Sequence, residues 1–420
     1  MKVSNLSEPR VQRGDTPSGT RRAHDPGVGV ARKAAAILLI VLAGCAANGS
    51  RPQAKATVPT TVTSVIHAVD PIPISVNDCL ARPPALRTVL TGIVPGPYRV
   101  DRPAADAVFD ARAATFTGDG ETLSGGSKPM IYPIFLAKAK PTSGLCFIGG
   151  SVPGTLSRSM TWPQLKAEVP QPDGRRVYFD APALTEFSSG DGGHLVDGLR
   201  VDDVADGIAA RGSFAITRAP PLDGGNFYLR NAYFTSVHDD CVDINDLVSG
   251  IVSDSLLDGC YTGISERPDH NSPLQKYHAP AGQQFTLDHV LLRMADFAGP
   301  HPTHLCPSGT PSGYNEPFKW SPNANSLVVR DSIFLLDRPP CSDRYFPFPK
   351  HATLDRVTIV WTGHGRWRWH RPRGVLITTD RAVWGRARQA WLNRHGCSDT
   401  APDVAATTNQ CTRITNPIPS

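Results

Sequence analysis

Several things are scarce or missing in this 420-residue chain, and each absence removes a class of answer. No two cysteines form a CxxC pair, so a zinc or dithiol redox site gains no support. The apolar run Ala34–Ala43 is too short to span a bilayer as a stable helix. Glycine (37) and proline (39) are plentiful, but they follow no strict triplet, which excludes a collagen-like coil and leaves a chain rich in turns. Aromatic residues make up only 7%. Excess charge is missing too, once it is located. The formal +5 resides largely in residues 1–44, which hold seven of the 43 Lys and Arg and three of the 38 acids. The rest of the chain is close to neutral, so a nucleic-acid partner drawn by bulk charge is not expected. What is present, 40% hydrophobic and 19% charged residues, fits a folded core rather than a disordered polymer.

The first 44 residues read as an export signal. Arg32-Lys33 precede the short apolar run, and Leu42-Ala43-Gly44-Cys45 is similar to the lipobox of bacterial lipoproteins, in which cleavage leaves the cysteine as a lipidated first residue. That resemblance implies a lipid anchor at Cys45, a membrane surface as partner, and a location in the cell envelope or outside the cell. Ala46, in place of a retention aspartate, points to an outer surface where there are two membranes. Translation starting near Val28 or Val30 would give an n-region of ordinary length. Residues 45–70, rich in small residues, Pro and Thr, read as a flexible tether. Export places the other eight cysteines in an oxidising compartment, where an even number favours disulfides. Sequential pairing is expected, with Cys241–Cys260 and Cys397–Cys411 the most local pairs.

The strongest architectural signal is an internal repeat. Six segments carry an Asp or Asn followed two residues later by an apolar or aromatic side chain: Asp197, Asn231, Asp254, Asp288, Asp331 and Asp355, with Leu199, Tyr233, Leu256, Val290, Ile333 and Val357. The anchors are 34, 23, 34, 43 and 24 residues apart, with short strand-like runs between them and no helical periodicity from Asp197 to Asp355. This pattern predicts an all-β solenoid in which a polar corner residue bonds its neighbours one strand spacing away and alternating apolar residues fill the interior. Solenoid ends need cover. Residues 71–140 are read as the N-terminal cap region, 141–375 as the β-helix and 376–420 as a C-terminal helical cap. In the last, Asp380 starts a helix carrying Trp384, Ala387, Arg388, Trp391 and Leu392 at helical spacing, and Gly396 stops it.

His238-Asp239-Asp240-Cys241-Val242-Asp243 resembles the DDC motif region of polygalacturonase-type glycoside hydrolases, and Asp206-Gly207-Ile208 is placed like the end of that family's N-T-D-G-I motif. More broadly, residues 140–375 resemble the pectin-lyase-like superfamily of right-handed parallel β-helices. The resemblance implies action on an extracellular, uronate-containing polysaccharide, with Asp239 and Asp240 supplying the acid and Asp206 assisting a water. Two family motifs are altered. Cys260-Tyr261-Thr262-Gly263 stands where the family has Gly-His-Gly, and Pro317-Phe318-Lys319 stands where it has Arg-x-Lys. A literal Gly363-His364-Gly365 lies in a later coil.

These departures leave three readings open: hydrolase, polysaccharide lyase, and a non-catalytic envelope or glycan-binding scaffold. For a lyase, Lys319 or Tyr261 would abstract the proton and Arg267 would neutralise the uronate carboxylate. His238, Glu266 and Trp320 are candidate substrate contacts, as are Trp367 and Trp369 in the cationic aromatic run Arg366–Arg371. Calcium on Asp239, Asp240 and Asp243 is a further option, since clustered carboxylates suit a hard cation; no other cofactor is expected. His301 and His304, beside Cys306, lie in a long insertion and are read as solvated. The chain is read as a monomer.

Overall fold

The computed structural model describes residues 74–397 apart from Gly96, 118–132, 137–143, 155–168, 171–175, 178–181, 188–192, 212–225, 246, 268–277, 280–281, 296–315, 337–347, 363–366 and 368–369. Cys45, His301, His304, Cys306, Cys341, His364, Trp369 and Cys411 therefore lie outside the described residues.

The described strands stack, almost all in parallel, into one continuous sheet wound nearly round an axis, a parallel β-helix. Its pairings resolve into three ladders. In the first, Cys146–Ile148 is followed by His194–Asp197, Asn226–Arg230, Ser249–Ser253, Gln284–Asp288, Ser326–Arg330 and Thr353–Asp355. The second runs from Val152 through Val201, Phe234, Leu257, Leu292, Phe334 and Ile359 to Ile377. The third runs from Ile134 through Leu184, Ile208, Val242 and Ile264 to Phe318. Stacked positions sit one strand spacing apart, about 4.8 Å, so like side chains form apolar columns, and these columns make up most of the single interior cluster. Coils begin earlier than the repeat indicated: Arg87–Val94 already pairs in parallel with Val108–Phe116, inside the stretch read as the N-terminal cap.

The repeated corner lies between the first and second ladders. The residues stacked there are Gly198, Asn231, Asp254, His289, Asp331 and Arg356, and all six have positive φ, from 38° to 78°. Asn and Asp tolerate this left-handed region better than other side-bearing residues, and Gly enters it freely. The six sequence anchors thus mix two adjacent registers: Asn231, Asp254 and Asp331 occupy the left-handed position, whereas Asp197, Asp288 and Asp355 end the preceding strand. Both positions favour aspartate, for different reasons. The left-handed residue donates its backbone N–H across the stack, as Asp254 does to the Asp288 carbonyl (3.0 Å) and Asp331 to that of Asp355 (3.1 Å). The strand-end aspartate instead takes side-chain donors: Asp197 accepts from Asn231 Nδ2 at 3.1 Å and pairs with Arg230, and Asp288 pairs with Arg330 at 3.4 Å. Just beyond the corner, Ser255 Oγ accepts the Ala232 N–H and Ser332 Oγ accepts that of Val290, at 3.1 and 3.0 Å.

Two helices cover outer faces. The N-terminal helix α1 (Val76–Leu80), capped by a reciprocal Ser75–Asp78 pair, packs with Ile74 and Cys79 against Val108, Cys146, Ile148, Leu195 and Tyr228 of the first ladder. The C-terminal helix α2 (Arg381–His395) begins at an Asp380 cap and stops at Gly396 in the left-handed conformation, as its sequence predicts. It lays Trp384, Trp391 and Leu392 along the outward side of the second ladder, against Leu256, Leu291, Leu335 and Val360 from successive coils. Arg388 and Arg293 converge on Asp258, and Trp391 Nε1 donates to the Asp254 carbonyl at 3.0 Å.

Disulfides join Cys79 to Cys146 and Cys241 to Cys260, two of the expected sequential pairs. Cys397 is also disulfide-bonded, to a partner outside the described residues. These bridges fit an extracellular or periplasmic location. Among the described residues no helix is long and apolar enough to cross a membrane.

Candidate functional site

The third ladder carries the acidic residues. Ile208 pairs with Val242 and Asp240 with Thr262, so Asp206 and Asp240 are stacked neighbours; Asp206 Oδ1 accepts the Asp240 N–H at 2.9 Å. Gly207 between the motif residues is there for space: a Cβ on it would lie 2.4 Å from the Cys241 carbonyl oxygen. Gly263 is constrained in the same way, by the Pro317 carbonyl at 2.3 Å.

The strand Tyr233–Asp243 passes from the second ladder to the third through a bulge. Val237 pairs with Cys260 and Asp240 with Thr262, so His238-Asp239 holds one residue more than the partner strand. Its backbone is bonded to the coil before it, His238 N to the Val204 carbonyl (2.9 Å) and Asp239 N to that of Ala205 (2.7 Å). The bulge brings carboxylate oxygens of Asp206, Asp239 and Asp240 within 4.8 Å of one another, all three residues being buried.

Asp240 is compensated at one oxygen only. Lys319 Nζ donates to its Oδ2 at 3.2 Å, while its buried Oδ1 has no hydrogen-bond partner among the described residues. Burial pushes this carboxyl up to about 6; Lys319 opposes the rise, and Asp239 and Asp243 add to it. For Lys319, burial acts to lower the ammonium pKa, but Asp240, Asp239 and Asp243 outweigh it and hold the group above the ordinary lysine value. Asp243 is bound by Arg211 at 2.8 Å.

Above Thr262 in the same column lies Glu316, whose carbonyl accepts the Gly263 N–H at 3.0 Å. Its carboxylate faces Arg267 Nη1 at 3.5 Å, and burial raises its pKa against the opposing charges of Arg267 and Lys319. Asp206, Asp239, Asp240 and Asp243 thus lie close to Lys319 and Arg267, and Arg211 and Glu316, which the sequence reading did not single out, lie among them. Glu316 stands only three residues before Lys319, but Gly263 and Arg267, the residues it lies beside, come far earlier in the chain.

The remaining candidates have other surroundings. Tyr261 is 1% exposed and sits inside the fold. Glu266 is fully buried and accepts from Asn325 Nδ2 at 3.4 Å. Trp320 donates to the Asn325 carbonyl and packs edge-on against Phe318. Trp367 stands perpendicular to Trp361. His238 is 1% exposed.

Calcium finds a mixed donor set. Asp206, Asp239 and Asp240 are close enough to share an ion, but Asp206 Oδ1 is taken by a backbone donor and Lys319 already supplies a cation at Asp240. Asp243 of the expected trio is instead bound to Arg211. A second carboxylate–histidine group, Asp288, His289 and Asp331, lies at the left-handed corner, where Arg330 and Arg356 neutralise the carboxylates. Comparison with protein-family models, with curated proteins and with solved structures finds no match in any of the three.

Proposed function

We propose that this chain is an exported hydrolase that cleaves glycosidic bonds in an acidic extracellular polysaccharide, with Asp240 as the proton donor. The observation that carries the reading is the state of Asp240: a buried carboxyl raised to about 6, held at one oxygen by Lys319 and with no hydrogen-bond partner for its other oxygen among the described residues. Such a group keeps its proton at mildly acidic pH and can pass it to a leaving glycosidic oxygen. The likeness of Asp206-Gly207-Ile208 and His238–Asp243 to polygalacturonase motifs supports the same reading, as does the parallel β-helix that carries them. A substrate bearing carboxylates suits the cationic rim of Lys319, Arg211 and Arg267.

Hydrolysis is favoured over elimination because Lys319, one of the two bases suggested for a lyase, holds its proton more firmly than an ordinary lysine. One observation favours the non-catalytic alternative: Asp206 spends an oxygen on the Asp240 backbone, as a turn-forming aspartate does. Anchoring through Cys45 belongs to the proposal on sequence grounds.

The test incubates the oxidised protein, and its Asp240→Asn variant, with a panel of plant, algal and bacterial uronans. New reducing ends and the ultraviolet absorbance of unsaturated uronate are followed together. Reducing ends without absorbance, lost in the variant, are expected. Absorbance alongside reducing ends would indicate a lyase, and a folded protein inactive on every polymer would favour the scaffold.

A further inference from the structure

Among the described residues, large hydrophobic side chains are exposed at the two ends of the coil. Val89 (63% exposed) and Ile93 (59%) lie on the first strand, Arg87–Val94, and Leu376 (49%) lies on the last, Val375–Thr378. Each of these strands pairs on one side only among the described residues, the first with Val108–Phe116 and the last with Val357–Trp361. Residues 88–94 and 375–378 carry no charge, and a Cβ on Gly92 would find open space. An open, uncharged edge of this kind is a template for the addition of another strand.

The two ends match in register. Ile93 heads a column that passes through Arg200, Leu256 and Ile333 and ends on Leu376. One residue further on, Val94 and Ile377 pack, partly buried, against the interior at either end. One backbone bond recurs along the column, from each N–H to the carbonyl one register earlier on the preceding coil. Tyr233 donates to Leu199 at 3.0 Å, Leu256 to Ala232 at 2.9 Å, Leu291 to Ser255 at 2.9 Å and Ile333 to Val290 at 3.0 Å. Ile93 is the first donor position of the series, and no described coil precedes it; Val375, paired with Val357, is the last acceptor position, and no described coil follows it. Exposed charge is complementary as well. Residues 74–106 expose Asp78, Asp101 and Asp106 against Arg102. Residues 349–378, apart from the mutually paired Asp355 and Arg356, expose Lys350, Arg371 and Arg373, which form no ion pair among the described residues.

We infer that a second copy of this chain occupies each end, head to tail: the last strand of one copy lies parallel to the first strand of the next, with Leu376 beside Ile93 and Ile377 beside Val94. The Ile93 N–H then donates to the Val375 carbonyl of the neighbouring copy, which carries the recurring bond across the junction at the ordinary strand spacing of about 4.8 Å. The two surfaces differ, so the contact is heterologous, and because it prolongs the coil along its own axis it does not close on itself; copies add into an open rod. Pro95 and Pro372, which have no N–H to donate, stand just outside the paired segments and keep the contact short. Association is therefore weak and grows with concentration, in place of the monomer expected from the sequence. The junction uses no residue of the acidic site, which recurs once per copy along the rod.

Sedimentation velocity of the oxidised protein from roughly 1 to 500 µM, the range in which small interfaces associate, tests the junction. Ile93→Lys and Leu376→Lys each put a charge on an exposed edge position, a substitution that natural edge strands use against pairing, and thermal melts verify that both variants fold. The wild-type mass should rise past that of a dimer with concentration, and each variant alone should stay monomeric. An equimolar mixture of the two variants should stop at the dimer, because Ile93→Lys keeps an intact last strand and Leu376→Lys an intact first strand. A wild type that is monomeric throughout, as it would be with the ends covered by residues 46–73 or 398–420, would overturn the proposal, and so would a mass that levels off at the dimer. Assembly lost in Ile93→Lys but kept in Leu376→Lys would place two first strands against each other and overturn the head-to-tail arrangement. Assembly kept in Ile93→Lys, or a mixture that stays monomeric, would overturn it equally.

Discussion

Replacing Lys319 with Met probes the electrostatics on which the site depends. The substitution keeps much of the buried stem and removes the ammonium that lies 3.2 Å from Asp240 Oδ2. At that distance and an effective dielectric of about 20, the attraction is worth about 5 kcal/mol as an upper figure. Removing one partner of a buried pair typically costs about 3–5 kcal/mol. Taking about 3 kcal/mol, and about 1.4 kcal/mol per unit, the Asp240 carboxyl should rise by about two units from its value of about 6. The sign follows from linkage. A carboxyl raised above its unfolded value contributes stability that is fully present below the unfolded pKa and is lost as pH rises through the folded one. In the wild type that loss is complete slightly above pH 6; in the variant it continues to about pH 8. The two proteins should therefore differ in unfolding free energy by about 2 kcal/mol more at pH 8, where the variant's carboxyl is half titrated, than at pH 5, where Asp240 is mainly protonated in both. Urea unfolding at the two pH values, followed by tryptophan fluorescence, measures this directly. A penalty of equal size at pH 5 and pH 8 would refute the coupling of Lys319 to Asp240.

Three further outcomes follow from the fold. Trp391→Ala removes a ring that is 1% exposed, stacks on His395 and donates to the Asp254 carbonyl; a loss of about 3–5 kcal/mol and faster protease cleavage within α2 are expected, and unchanged protection would mean that the helix is held by its arginines alone. Ser255→Ala and Ser332→Ala each strand a buried backbone N–H, of Ala232 and Val290. Each should lower the denaturation midpoint by the equivalent of about 1–3 kcal/mol, and because the sites are two coils apart the double variant should show nearly additive losses. For the disulfides, the chain-entropy account assigns about 4 kcal/mol to the bridge across 67 residues, Cys79–Cys146, and about 3 kcal/mol to that across 19, Cys241–Cys260. Paired Cys→Ser variants compared by calorimetry should rank in that order, and the reverse ranking would assign the larger effect to packing in the interior, where Cys241 and Cys260 lie.

How much of this was legible in the sequence differs from residue to residue. The solenoid was, because a left-handed corner recurs in every coil and only a few residue types suit it; Asn231, Asp254 and Asp331 announce it directly. The register was legible to within one residue only. Asp197, Asp288 and Asp355 satisfy a neighbouring demand for carboxylates facing arginines, and sequence spacing cannot separate the two. Asp206, Asp239, Asp240 and Lys319, which the fold brings close together, were singled out through their motifs. Glu316 was not, since its place in the column depends on strand pairing across a long insertion. The bulge at His238-Asp239 shows why facing was harder to read than pairing, since one extra residue changes which side chains point inward; Tyr261, read from the sequence as a candidate base, is 1% exposed, and Trp320, read as a substrate contact, packs edge-on against Phe318.

The account depends on one carboxyl that retains its proton at mildly acidic pH. Carbon-13 NMR of aspartate side-chain carboxyls, titrated between pH 3 and 9 and assigned by the resonance missing from Asp240→Asn, reads it directly. A midpoint near 6 for Asp240 is expected. A midpoint at or below 4, the range of an ordinary exposed aspartate, would contradict the claim and make Asp240 a permanently ionised partner of Lys319 with no proton to give.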